Sequence, residues 1–497
     1  MSILKKLAGQ TALYGLSSII GRLVTFVFLT PYLTARLVPS EMGVQTDLYA
    51  WAAFLMVIFS YRMETAFFRF GKDRLERPKA FRTAMTAVYT TTALLVGLLL
   101  LFAQPIATAL EYDNHAIYIQ YFALILGFDA LAALPFARLR LEGKAKRFAI
   151  VKLANLFLHI FALLFLLEVL PYTDYYNAED KVAYIFLANL IASASTLLLM
   201  LPQLSFKFWN TENKTFEKSI FDKALLQQML FYAFPLVIAA FAGIINEVID
   251  RVLLKNMLEG DLQSRLYQVG IYGACYKIAI FMNLFTQAFN YAAEPFFFKE
   301  SNRKDARDLY ADVTFIFGIL GCLAFAGIGI FMDLAQYFVA PVYREGLDVV
   351  PILLLANLCL GLYYNVSIWY KLSDKTHYGT YIAFIGASVT ILVNILLIPK
   401  LGYMGAAWAT LACYVIMLIL GYYWGQKFFP IPYKTARILI HIFAAIAVVF
   451  LYTEFSFFVK GSSVFINQIY NTLYFGIYAI IVLYFEKSNI KTMLKRQ

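Results

Sequence analysis

Charge is scarce in this 497-residue chain. Asp, Glu, Lys and Arg make up 15% of it, against roughly 25% in ordinary soluble domains. Cysteine is almost absent: Cys275, Cys322, Cys359 and Cys413 stand far apart inside apolar stretches, where they read as small packing residues rather than a redox device. His115, His159, His377 and His441 share no ligand spacing, so no metal site is expected. The chain contains no GxxxxGK[ST] run, which excludes a P-loop ATPase. It likewise contains no nucleophile elbow and no HExxH pair. No linker or low-complexity tract interrupts it, and no stretch between apolar runs is large enough to fold alone. These absences leave no expected cofactor. They also argue against an enzyme: Asp113, Asp174 and Glu179 lie in short outer loops, and none forms a convincing catalytic pair.

What is present is hydrophobic length. The chain is 61% hydrophobic and 17% aromatic, with mean hydropathy +0.68. Runs long enough to cross a hydrocarbon core of about 30 Å recur from end to end. Fourteen spans are expected, at 11–33, 46–68, 83–103, 116–137, 149–170, 182–202, 226–250, 268–293, 310–332, 349–370, 378–398, 404–425, 436–454 and 466–486. The first is too long for a cleaved signal peptide and contains Arg22. The fold class is therefore all-α and polytopic. The polar connection from Gln203 to Leu225 is the natural seam between two halves.

Of the 42 basic residues, 31 fall in expected cytoplasmic segments and eight (Arg36, Lys181, Arg251, Lys255, Arg265, Arg344, Lys400, Lys460) in outer ones. That asymmetry places both termini in the cytoplasm. It also accounts for the net charge of +11 as a topology signal and a contact with anionic lipid, with no nucleic-acid partner implied.

The halves echo each other. SYRMETAFFRF (Ser60–Phe70) ends the second span and YAAEPFFFKE (Tyr291–Glu300) the eighth, both giving Glu-x-x-Phe-Phe-basic. Glu64 follows Gly43 by 21 residues and Glu294 follows Gly270 by 24. Internal repetition of this kind is typical of transporters with a site between their repeats.

The remaining three basic residues, Arg22, Arg62 and Lys277, lie deeper within spans than Lys152 and Arg437, which stand at the cytoplasmic starts of theirs and are counted there. A charge at mid-bilayer costs about 2.5–3.5 kcal/mol on insertion scales, so such groups face a bundle interior or a wet cavity. At 100° per residue, Thr11, Gly15, Ser18, Arg22 and Thr25 share one stripe of span one. Lys277 follows Gly270 and Gly273 on span eight, with Asn283, Gln287, Asn290 and Glu294 recurring toward the cytoplasm. Two cations on polar stripes of opposite halves would attract an anion, and a diphosphate suits an Arg fork and a Lys point charge. Arg22, Lys277, Arg62, Ser18, Thr25, Asn283, Gln287 and Asn290 are therefore the substrate-binding candidates. Glu64, Glu294, Asp129 and Asp250 are ion-coupling candidates or structural ion-pair partners.

These residues also carry a resemblance. NILLIPKLGYMGAAWATLACY (Asn394–Tyr414) resembles the Asn-x-x-x-Ile-Pro-x-x-Gly-x-x-Gly-Ala-Ala-x-Ala-Thr signature of polysaccharide and O-antigen flippases. These belong to the multidrug/oligosaccharidyl-lipid/polysaccharide exporter superfamily. Asp250-Arg251 with GIYGACYKI (Gly270–Ile278), and the METAFFRF and AEPFFFK endings, are similar to the same group. The resemblance implies two six-helix bundles in a V, here 1–210 and 211–430, plus two further spans in 431–497. It implies alternating access that carries an undecaprenyl-diphosphate-linked oligosaccharide to the outer leaflet of the bacterial cytoplasmic membrane for surface polysaccharide or lipopolysaccharide assembly. A polysaccharide polymerase or glycosyltransferases would be its protein neighbours. A lipid II flippase and a cation-coupled multidrug exporter remain the alternatives.

Overall fold

In lipid no water is available to satisfy backbone N–H and C=O groups, so each apolar run must close its own hydrogen bonds and becomes helical. The computed structural model describes residues 21–495 apart from 22, 74, 175, 178–179, 206, 211–214, 219–220 and 456–463. Among the described residues, 13 helices are long and apolar enough to cross a membrane, and they overlap expected spans two to fourteen in turn. Residues 11–20 and 22 of expected span one, Ser18 and Arg22 among them, lie outside the described residues.

The chain emerges through a π-helical turn, Thr25–Leu29, into α1 (Thr30–Arg36). Next comes α2 (Pro39–Ser60), which opens on a proline with Glu41 Oε2 accepting the Val38 N–H at 3.0 Å, a side-chain cap on the first turn. It is followed by α3 (Met63–Phe70), α4 (Arg77–Leu101), α5 (Ala116–Leu141), α6 (Ala145–Leu164) and α7 (Lys181–Leu199). The polar seam folds as a hairpin, β1 (Lys207–Asn210) against β2 (Thr215–Lys218), in antiparallel register with Lys207 opposite Lys218. The second half runs through α8 (Lys223–Met257), α9 (Leu262–Lys299), α10 (Ala306–Ile330), α11 (Val349–Val366), α12 (His377–Leu401), α13 (Tyr403–Phe428), α14 (Thr435–Phe455) and α15 (Val464–Lys495).

Two spans differ from expectation in an informative way. Helices α8 and α9 have 35 and 38 residues; at 1.5 Å per residue α9 is about 57 Å long, well beyond a bilayer core. Arg251 and Lys255, expected in an outer loop, therefore lie within α8, and Lys255 is buried. Their charge had marked them as loop residues, but paired or packed basic groups are tolerated inside a long helix end.

Two compact units result. The amino-terminal unit comprises residues up to Leu29, Val44–Ile244 and Asp261–Leu266; the carboxyl-terminal unit comprises Thr30–Gly43, Ile245–Gly260 and Tyr267 onward. In the first, Phe67, Phe81, Met85, Leu134 and Met229 form one core cluster, and Tyr118, Phe122 and Phe186 form another. In the second, α12 and α13 close on each other through Gly402, whose φ of +55 and ψ of −136 no β-carbon residue adopts readily. This turn lies inside the Asn394–Tyr414 stretch, so the conserved-looking Pro-x-x-Gly pattern there is backbone geometry.

The last two helices belong to the carboxyl-terminal unit and dock on α10. Lys434 Nζ lies 2.9 Å from Asp312 Oδ1. Beyond the far end of α10, Asp333 accepts hydrogen bonds from Gln468 Nε2 at 2.7 Å and Asn471 Nδ2 at 3.0 Å. Phe443 and Phe485 on their outer faces are 66% and 71% exposed, as lipid-facing side chains of a multi-pass membrane protein should be. All four cysteines are buried and unbridged.

Candidate functional site

The two copies of the Glu-x-x-Phe-Phe-basic motif have different local structures. Between α2 and α3 the backbone turns left-handed at Tyr61 (φ 28) and Arg62 (φ 55). The second span thus breaks where α9 runs straight on to Lys299. Non-glycine residues held at positive φ carry strain of order 1–3 kcal/mol, and such strain gathers at functional sites. The break sets Glu64 on the first turn of α3, partly buried. Glu294, by contrast, makes an exposed ion pair with Lys371 at 2.6 Å.

Within the amino-terminal unit, Glu64 and Asp129 line a single polar chamber of about 470 Å³. Its walls come from α2, α3, α5, α6 and α7. The Ser193 hydroxyl hydrogen-bonds to the Asp129 carboxylate, and Lys152 is that carboxylate's cationic neighbour. Lys152 Nζ also lies 4.3 Å from the centre of the Phe136 ring, and the Arg140 guanidinium lies 4.7 Å from that of Phe68. Asn155 Nδ2 donates to Thr196 Oγ1 at 2.8 Å, and Asn189 Nδ2 donates to the Tyr49 hydroxyl at 2.7 Å. Asn189, Ser193 and Thr196 recur at i, i+4 and i+7 on α7, a stripe present in the sequence that sequence reasoning passed over because it carries no charge.

Within the carboxyl-terminal unit the cationic site is built from α8 and α9. Asp250, 2% exposed, accepts a hydrogen bond from Tyr272 at 2.5 Å and pairs with Arg251 Nη1 at 3.1 Å. The Arg251 guanidinium lies 4.3 Å from the Tyr276 ring centre. Lys277, the next residue on α9, is partly buried. Its Nζ rests 4.0 Å from Met42 Sδ, and the charge acting on it is the like charge of Arg251. Among the described residues no carboxylate pairs with Lys277. Arg251 is thus neutralised by Asp250 and set against the Tyr272 and Tyr276 rings, whereas the contact of Lys277 is the Met42 thioether. Arg251 is the member that sequence reasoning assigned to a loop.

The remaining candidates are scattered. Gln287 Nε2 donates to Asn283 Oδ1 at 2.5 Å on α9, and Asn290 is partly exposed one turn on. Thr25 is exposed, its hydroxyl donating to Gly21 O at 2.9 Å. Asp250 is an ion-pair partner of Arg251, with Asn246 beside it on α8 donating to Ala383 O at 3.2 Å.

A family profile described as polysaccharide biosynthesis protein matches residues 7–301. No curated protein sequence matches the chain. Among solved structures, lipid II flippase MurJ in an inward closed conformation superposes with TM-score 0.69 at 13% identity, covering 96% of this chain and 99% of that one. An inward-facing MATE family multidrug resistance transporter of the MOP superfamily gives 0.62 at 12% identity, covering 85% and 98%. A MOP superfamily transporter from Pyrococcus furiosus, titled for the reverse polarity of its binding pocket, gives 0.54 at 12%, covering 84% and 95%. At these identities the likeness is one of fold. With more than half its length matched by the profile, the chain belongs to the polysaccharide biosynthesis protein family, and it shares its fold with these MurJ and MATE structures.

Proposed function

We propose that this protein is a flippase for undecaprenyl-diphosphate-linked oligosaccharide. In this reading it lies in the bacterial cytoplasmic membrane with both termini inside, and moves its substrate outward by alternating access between a bundle of residues 1–210 and one of 211–430. The observation that carries the reading is Lys277: a cation within a membrane-spanning helix, beside Arg251 and without a carboxylate partner among the described residues. An unneutralised charge at that depth is expensive, and an anionic headgroup would relieve the cost. Arg22, on the polar stripe of span one, is proposed as the second contact to the diphosphate. Each phosphate can accept charge-assisted hydrogen bonds from a guanidinium and an ammonium. The glycan cannot cross hydrocarbon unaided, because its hydroxyls would lose their hydrogen bonds, whereas the polyprenyl tail can stay in lipid throughout. A polymerase or glycosyltransferases that supply or consume the glycan are the proposed neighbours.

The test is surface-polysaccharide assembly in a strain lacking the gene. Wild-type protein should restore it, and Lys277→Ala should not, although the variant accumulates in the membrane at normal level. Full restoration by Lys277→Ala would remove the proposed role. The fold likeness to MurJ motivates a second arm: rescue of cells depleted of their lipid II flippase would make lipid II the saccharide carried. Dye efflux that depends on Asp129 or Glu64 would replace both with a cation-coupled exporter.

A further inference from the structure

The amino-terminal unit carries a partly open polar cavity of about 470 Å³, with Arg140 and Lys152 exposed at its wall. That volume falls within the range of small-ligand sites, about 300–1,000 Å³. Its lining is polar, so the space would be wet and open to exchange with a polar solute.

The chemistry of the lining narrows the occupant. A coupling cation fits poorly, because Arg140 and Lys152 share the wall with Glu64 and Asp129 and leave no net negative charge. An apolar drug fits poorly as well, since it would desolvate the Glu64 and Asp129 carboxylates on the wall. A sugar ring meets both demands. Its hydroxyls act as paired donors and acceptors, matching side-chain amides, a carboxylate and hydroxyls held at fixed positions. Its C–H face can lie against an aromatic wall, here Phe136 and Phe148, whose rings stand 5.2 Å apart at 70°. Two of the polar groups are already held: Asn189 Nδ2 donates to the Tyr49 hydroxyl and Asn155 Nδ2 to Thr196 Oγ1, so less ordering remains to be done on binding.

We propose that this chamber is a saccharide subsite that seats a pyranose ring of the carried glycan within the amino-terminal unit. Asn155, Asn189, Ser193 and Asp129 bind its hydroxyls, and Lys152 receives any acidic substituent. The inference rests on the flippase reading and adds to it where the sugar, as distinct from the diphosphate, is recognised. Headgroup selectivity would then reside in α6 and α7.

The test uses full-length protein purified in detergent micelles, with methyl β-D-N-acetylglucosaminide and methyl β-D-glucuronide as probes at millimolar concentration. Saturation-transfer NMR should show transfer from protein to the ring protons of at least one probe. The Asn155→Leu/Asn189→Leu variant should weaken it at least about fivefold, the scale of one or two lost hydrogen bonds. If the double variant does not elute as a monodisperse species, Ser193→Ala and Thr196→Val take its place, with a smaller loss expected in each. Absence of transfer in wild type, or equal transfer in folded chamber variants, overturns the subsite. Binding of undecaprenyl diphosphate, measured in parallel and expected to depend on Lys277, separates the two ideas. Diphosphate binding without sugar binding removes the subsite and keeps the flippase reading. Sugar binding without Lys277-dependent diphosphate binding removes that reading's diphosphate contact and keeps the subsite.

Discussion

Gly270 packs directly on the backbone of Pro39: a β-carbon at 270 would fall 1.8 Å from the Pro39 carbonyl oxygen and 2.9 Å from the Gly43 nitrogen. The two glycines that precede the repeated motifs are thus neighbours within the carboxyl-terminal unit, where the Tyr343 hydroxyl also donates to Leu37 O at 2.8 Å. Backbone cannot move aside as a flexible side chain can. Gly270→Ala should therefore destabilise the protein by about 1–3 kcal/mol, the usual cost of overpacking. Thermal unfolding in detergent reads this directly, and an unchanged midpoint would show that the two segments part without cost.

The left-handed break at Arg62 is a position where glycine relieves strain. Arg62→Gly should keep the kink and hold or raise stability by up to about 1 kcal/mol. Arg62→Val, with a β-branched side chain at φ 55, should lower it. If both variants lose transport equally while remaining folded, the guanidinium matters and the kink alone does not.

Arg251 and Lys277 should fail in different ways. Removing Arg251 strands the carboxylate of Asp250, buried at 2% exposure, and breaking one side of a buried pair costs about 3–5 kcal/mol. Arg251→Ala should therefore accumulate poorly, and Asp250→Asn/Arg251→Ala should recover in amount without recovering transport. Lys277→Ala leaves no carboxylate behind and should accumulate normally. Membrane abundance by immunoblot, set beside surface polysaccharide, separates these cases.

The first turn of α8 carries a pH-sensitive tie. Asp222 accepts the Leu225 N–H at 3.0 Å as a helix cap and pairs with Lys79 at 2.6 Å. The hydrogen bond from Lys79, followed by that from the Leu225 N–H, holds its carboxyl below the ordinary aspartate value. A depressed carboxyl pKa contributes stability that is complete above the unfolded value of about 3.9 and is lost as pH falls through the folded one. Asp222→Ala should thus lower the unfolding temperature at neutral pH. The gap from wild type should close as pH is taken below about 4. A gap that persists in acid would assign the effect to packing.

Much of the architecture was legible in the residues themselves. Each expected span from 46–68 onward overlaps a membrane-length helix, because apolar length and backbone self-satisfaction in lipid are local properties of a run. The Asn394–Tyr414 stretch carried only a resemblance in the sequence, and the structure adds its geometry, a positive-φ glycine between two packed helices. Helix ends were harder to read. Arg251 and Lys255 looked like loop residues because a basic side chain normally ends a span, and only packing on α9 and its neighbours lets α8 continue past them.

The sequence by itself determined that this is a polytopic helical membrane protein, with its cations and carboxylates at particular heights along particular helices. Tertiary structure alone decided their company. It set Lys277 beside Arg251, left Glu294 in an exposed pair with Lys371, and drew Glu64 and Asp129 to the wall of one wet chamber. Hydropathy is written in each residue and its near neighbours, whereas the partner of a buried charge is chosen by which helices pack together and at what rotation, and no single run of sequence encodes that.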